Sequence, residues 1–144
     1  MVESHKWALA MFEQPPGASE GWTFEQYWRE AAIRAAEDAA QRVGVLDECR
    51  ARGIEGLLEI PSVRMAVGSA LSLIFAQARE KSAQAPRRQD SRDLQHAVMA
   101  ASRATVFVTD DGKLLRTVKR VPMPRFDVVD LPEFLAQLRS PIAK

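Results

Sequence analysis

The chain has 144 residues and a mass of 16.0 kDa, the size of a single compact domain. Hydrophobic residues at 47% and charged residues at 27% exclude a wholly disordered chain, and a formal net charge of +1 provides no global field for nucleic acid or membrane. One cysteine, Cys49, excludes an internal disulfide framework, and with only His5 and His96 as histidines any bound metal must be held by carboxylates.

In chain order, Trp7, Ala8, Met11 and Phe12 share one face of a short predicted helix. That apolar patch is too short for the core of an export signal. Gln14 to Gly21, with two prolines and two glycines, interrupts it. Thr23-Phe24-Glu25-Gln26 has the form of a capping box and opens an alanine-rich helix. Phe24, Trp28, Ala31, Ala35 and Ala39 form its buried stripe, and Trp7, Trp22, Tyr27 and Trp28 read as packing residues. Gly44 interrupts the helical run, and Gly53 is placed to end it as a left-handed cap. A connector, Glu55 to Pro61, precedes a helix opened by Pro61-Ser62 and buried through Val63, Ala66, Val67, Ala70, Ile74 and Ala78. The longest apolar stretch, Ala66 to Ala78, falls short of the roughly 20 residues needed to cross a bilayer. The expected location is a reducing cytoplasm, with no membrane partner.

A polar loop, Ser82 to Gln89, leads to a helix beginning near Asp90, with Leu94, Ala97, Val98 and Ala101 on one face. Ala104 to Thr109 is a β-branched run of strand length. After Asp110-Asp111-Gly112, the spacing of Leu114, Leu115, Val118 and Val121 predicts a helix; the rival is a hairpin turning at Asp111-Gly112. Phe126 to Val129 is a second strand, and Asp130-Leu131-Pro132-Glu133 opens a last helix through Phe134, Leu135 and Leu138. Strands alternating with helices predict an α/β fold with a parallel sheet, joined to a mostly helical N-terminal half. Two such strands leave both edges unpaired, so either another strand is hidden in the N-terminal half or the domain is incomplete. The predicted organisation is an N-terminal helix and linker over 1–21, a helical half over 22–88 and the strand-containing part over 89–144.

Ligands of parallel sheets gather beyond the carboxyl ends of the strands. Thr109, Asp110 and Asp111 stand at that end of the first strand, and Asp90 and Asp93 open the preceding helix. Carboxylates gathered there repel one another unless a proton or a divalent cation relieves them. Asp93 also has a purely local role available, near N3 of a helix capped by Asp90. Lys113, Arg116, Lys119, Arg120 and Arg125 are either phosphate contacts or a solvated face, and His96 reads as a packed or hydrogen-bonded boundary residue.

Asp93-Leu94-Gln95-His96-Ala97-Val98-Met99-Ala100-Ala101, followed by Val106-Phe107-Val108-Thr109-Asp110-Asp111, resembles the C-terminal half of a PIN domain. The likeness covers about residues 89–138, and Asp90 resembles a variant of bacterial members. It implies a PIN-like α/β fold and a Mg²⁺- or Mn²⁺-dependent endoribonuclease. In many bacterial relatives that enzyme is the toxin of a toxin–antitoxin pair, so RNA and an antitoxin protein are the implied partners. Asp93 and Asp111 would be catalytic and metal-binding, with Asp110 and Asp90 as further metal ligands. Thr109, Lys113, Arg116, Lys119 and Arg120 would meet phosphate. The family's first strand, ending in aspartate, has no counterpart here before residue 104 except Val43 to Asp47. The second acidic residue could be Glu30, Glu37, Asp38 or Glu48. The expected domain is therefore shortened and impaired. The competing expectation is a non-catalytic PIN-like remnant that binds protein or RNA and pairs with a second copy along its open sheet edge.

Overall fold

The computed structural model describes residues 21–79 and 88–140, apart from the side chains of Ala78 and Arg88. The predicted helix at Trp7–Phe12 and most of the predicted loop after Ser82 lie outside the described residues. The fold is α/β and mostly helical, with one short parallel sheet.

Helix α1 runs from Phe24 to Arg42. Its start is the predicted capping box: Gln26 N–H donates to Thr23 Oγ1 at 3.2 Å, and Thr23 N–H donates to Gln26 Oε1 at 2.9 Å. Tyr27, Trp28, Ala31, Ala32, Ala35, Ala36 and Ala40 are buried. They form two adjoining stripes rather than the one predicted, while Phe24 and Ala39 are only half-buried. Alanines on both stripes let neighbouring backbones come close. Gly44 (φ 77°) and Gly53 (φ 90°) take the left-handed conformations that turn the chain into α2 (Leu46–Arg52) and out of it to α3 (Ile54–Leu57).

Helix α4 (Pro61–Arg79) is the spine of the molecule. On one side Val67, Leu71 and Ile74 join the α1 stripes and Leu58 in a first apolar core. On the other, Met65 enters a second core with Ala97, Ala101, Val118, Val121, Phe126 and Val128. Ala66, predicted to be buried, is exposed, because two cores on opposite flanks leave it facing outward between them. Arg64 ties the two sides together. Its guanidinium lies 5.3 Å from the Trp28 ring centroid, Nη1 donates to the Leu58 carbonyl at 3.3 Å, and Nε donates to the Pro122 carbonyl. One turn later α4 has Gly68, where an added Cβ would lie 2.4 Å from Val121 Cγ1.

The second core supports the sheet. Helix α5 (Arg88–Ala101) leads into β1 (Val106–Val108), α6 (Gly112–Lys119) crosses over, and β2 (Asp127–Val129) returns parallel to β1. Register places Val106 opposite Asp127, Phe107 opposite Val128 and Val108 opposite Val129. Both strands are shorter than predicted, since at their ends the ladder continues only through single bonds, Asp127 N–H to the Thr105 carbonyl and Thr109 N–H to the Val129 carbonyl. Gly112 onward is helix, so the hairpin alternative is excluded. Among the described residues the sheet has these two strands.

Helix α7 (Leu131–Arg139) begins where Glu133 N–H donates to Asp130 Oδ1 at 2.8 Å, with Pro132 in the first turn. It buries no residue. Phe134 is half-buried, while Leu131, Leu135 and Leu138 are exposed. None of the described helices is long and apolar enough to cross a membrane.

Tyr27 is 2% exposed, and its hydroxyl has no hydrogen-bond partner among the described residues. Burial raises its pKa from 10.0 to about 12. The native state therefore keeps a proton that the unfolded chain releases above its ordinary value, so stability falls as pH rises from about 10 to about 12. Urea unfolding midpoints measured across this range are expected to decline, and Tyr27→Phe to remove that part of the decline. Equal declines in the two proteins would mean that Tyr27 titrates in the fold as it does in the unfolded chain.

Candidate functional site

The carboxyl end of β1 opens into a cleft lined by Leu73 of α4, Asp90, Asp93 and Leu94 of α5, Lys113, Leu114 and Thr117 of α6, and Asp111 just before it. Its volume is about 20 Å³, enough for a water-sized occupant. Asp90 and Asp93, predicted at a helix start, and Asp111, predicted at a strand end, thus share one small rim.

Each aspartate is positioned differently. Asp111 is the N-cap of α6: its Oδ1 accepts from Lys113 N–H at 2.9 Å and from Leu114 N–H at 3.0 Å. Those donors are among the amides a helix start leaves unpaired. Thr109 Oγ1 accepts from Asp111 N–H at 3.2 Å, so the threonine braces the turn and does not line the cleft. Asp90 is in the first turn of α5, and its Oδ2 accepts from Lys113 Nζ at 2.6 Å. The Asp90 side chain is 19% exposed and that of Lys113 41%. Partial burial strengthens this pair relative to a fully solvated one. Because α5 begins at Arg88, Asp93 falls in the second turn, not near N3, so helix capping does not account for it. It is half-buried and faces the cleft.

Asp110 departs from the prediction. Its Oδ1 accepts from Leu131 N–H at 3.0 Å, at the start of α7, and it is absent from the cleft lining. Asp110 and Asp111 thus make different contacts, Asp110 with the start of α7 and Asp111 with the start of α6.

The predicted phosphate contacts divide along α6. Lys113 is in the cleft. Arg116 folds back over the helix start, with Nη1 3.3 Å from the position a Cβ on Gly112 would take, beside Asp111. Lys119, at the other end of α6, lies 3.6 Å from Glu133 Oε2 and lines a separate groove beside β2. Arg120 lies over the Phe75 ring. Arg125 is exposed with φ 63°.

Glu30, Glu37, Asp38 and Glu48 lie on α1 and α2 and do not line the cleft; Glu37 is 3.8 Å from Arg50 instead. His96 is exposed rather than packed. Cys49 is half-buried and free. Leu73 and Thr117 were not singled out by the sequence as site residues. Thr117 is 4% exposed and donates from Oγ1 to the Lys113 carbonyl at 2.9 Å. A threonine midway along a basic helix carries no signal that would have marked it. Among the described residues no group of three or more histidine, cysteine, aspartate or glutamate side chains is arranged to hold a metal ion.

Neither a family model nor a curated protein nor a solved structure matches this chain.

Proposed function

We propose that the cleft is a PIN-like divalent-cation site and that the protein is a metal-dependent endoribonuclease. The observation that supports this reading most strongly is the convergence of Asp90, Asp93 and Asp111 with Lys113 on one rim at the carboxyl end of a parallel strand. The donors fit a hard cation: all are carboxylate oxygens, and Mg²⁺ is commonly held by one or two carboxylates, with waters and substrate phosphate completing the shell. Asp93 and Asp111 would hold the ion, which when bound would polarise a phosphoryl oxygen and acidify a water.

The chain's own residues account for the rest. Both helix-capping bonds of Asp111 fall on Oδ1, which fixes the plane of its carboxylate. Lys113 holds Asp90 and places a positive charge where a phosphate oxygen would enter. Arg116 adds a second cation beside Asp111. Leu73, Leu94 and Leu114 give the cleft an apolar wall.

A second reading is a non-catalytic PIN-like module that binds RNA or protein. It is favoured by the bonds these carboxylates already make, Asp90 with Lys113 and Asp111 with the start of α6. One assay separates the two. The full chain is incubated with single-stranded RNA and Mn²⁺, beside a variant combining Asp93→Asn and Asp111→Asn. The nuclease reading expects the variant to lose Mn²⁺-dependent cleavage by about a hundredfold or more. Equal cleavage by both proteins removes these residues from the mechanism. RNA binding by the wild type without any cleavage establishes the second reading.

A further inference from the structure

Lys113 engages two acids of the cleft by different means. Its N–H donates to Asp111 Oδ1 at 2.9 Å and its carbonyl accepts from Thr117 Oγ1 at 2.9 Å, so its backbone is fixed at the start of α6. Its ammonium, at the end of a four-carbon stem, donates to Asp90 Oδ2 at 2.6 Å and joins α6 to α5. Asp90 makes a further interaction besides this one, so Lys113 is not all that holds it.

The space left between the lining side chains is about 20 Å³, enough for a single water-sized occupant. Mg²⁺ usually keeps several of its waters when bound, and that assembly needs more room. Part of the lining must therefore yield. Thr117 is 4% exposed and bonded within α6, and Asp111 is tied to two amides of the same helix. The Lys113 side chain is 41% exposed, and its stem can swing outward while both backbone bonds stay in place. Charge acts in the same sense. An ammonium in the cleft repels a divalent cation and neutralises a carboxylate that the cation would otherwise attract.

We propose that Lys113 is a tethered counter-cation that closes the cleft, and that a divalent ion enters only when the ammonium leaves Asp90. This rests on the cation-site part of the reading above and adds the device that regulates it. The empty site carries its own cation. Once displaced, the ammonium remains attached at the start of α6, beside the ion, where it can meet a phosphate oxygen.

The test measures Mn²⁺ binding to the full chain, without RNA, from the loss of the free-ion electron paramagnetic resonance signal. Lys113→Met keeps the stem, removes the ammonium and is expected to raise Mn²⁺ affinity about tenfold. Lys113→Ala covers a folding defect in the methionine variant and is expected to gain likewise. Lys113→Arg keeps a cation in the cleft and is expected to bind within about twofold of the wild type. Arg116→Met removes an equal charge from beside Asp111 without touching the Asp90 bond, and its gain is expected to stay under about threefold. Adding Asp93→Asn and Asp111→Asn to Lys113→Met is expected to abolish the gain, which locates the ion in the cleft. The proposal is overturned if Lys113→Met and Lys113→Ala bind Mn²⁺ no tighter than the wild type. It is equally overturned if Lys113→Arg or Arg116→Met gains as much, or if the gain survives loss of the Asp93 and Asp111 carboxylates. The two readings fail separately. Tighter Mn²⁺ binding by a protein that cleaves no RNA retains the counter-cation and removes the nuclease, whereas Mn²⁺-dependent cleavage with unchanged affinity in the Lys113 variants does the reverse.

Discussion

Met65→Ala is expected to lower the free energy of unfolding by about 2–5 kcal/mol. Met65 is 0% exposed and stands on α4 where the second core closes against α5, α6 and the sheet. Alanine would remove most of a thioether side chain from among Ala97, Ala101, Val118 and Val121. Two of those neighbours are alanines, whose methyl groups have no rotamer that could swing into the gap, so a cavity should persist. There is a polar cost as well: Ser69, 1% exposed, points its hydroxyl at Met65 Sδ at 3.4 Å. Alanine would leave that hydroxyl buried without this acceptor. Urea unfolding followed by circular dichroism measures the loss, with the dependence on urea concentration unchanged. Met65→Leu, which keeps volume but not the sulfur, is expected to cost under about 1.5 kcal/mol. A Met65→Ala cost below that of the leucine variant would show that α4 is not the seam between the two cores.

Gly68→Ala would normally favour a helix, by about 1 kcal/mol. Here the opposite sign is expected, a net loss of about 1–3 kcal/mol. The added methyl would sit 2.4 Å from Cγ1 and 2.9 Å from Cγ2 of Val121. Val121 cannot easily yield: it is β-branched, 5% exposed and wedged in the second core. Val121→Ala alone leaves a cavity and is also destabilising. Combined with Gly68→Ala it makes room for the new methyl, so the double variant should be more stable than the sum of the single losses implies, by about 0.5–3 kcal/mol. Additive losses would show that the helix and the loop after α6 do not meet at this point.

The same two residues show what the sequence could reveal and what it could not. Features determined by neighbours along the chain were legible. Thr23 and Gln26 spell a capping box, Gly53 supplies a left-handed turn, and Val106 to Val108 read as strand. Features determined by residues far apart were not. Gly68 in an apolar run looks like a weak helix position until Val121, 53 residues later, is seen against it. Arg64 reads as a flank of an apolar stretch, yet its forked donors reach Leu58 and Pro122 while its plane covers Trp28. At the candidate site, the gathering of Asp90, Asp93 and Asp111 was expected from strand-end logic, whereas the Lys113 bond to Asp90 spans 23 positions and has no local signature. The sequence could not separate Asp110 from Asp111 because that depends on which way one peptide unit faces.

That peptide unit has a mechanical consequence. Asp110 accepts from the first amide of α7, and Asp111 accepts from two amides at the start of α6. One covalent link therefore moors the starts of two helices. Turning the Asp111 carboxylate toward a new occupant of the cleft would strip two donors from α6 and pull on the hold Asp110 has on α7. The floor of the cleft behaves as a keystone: its shape is established when the chain folds, and an incoming ion or phosphate must conform to it.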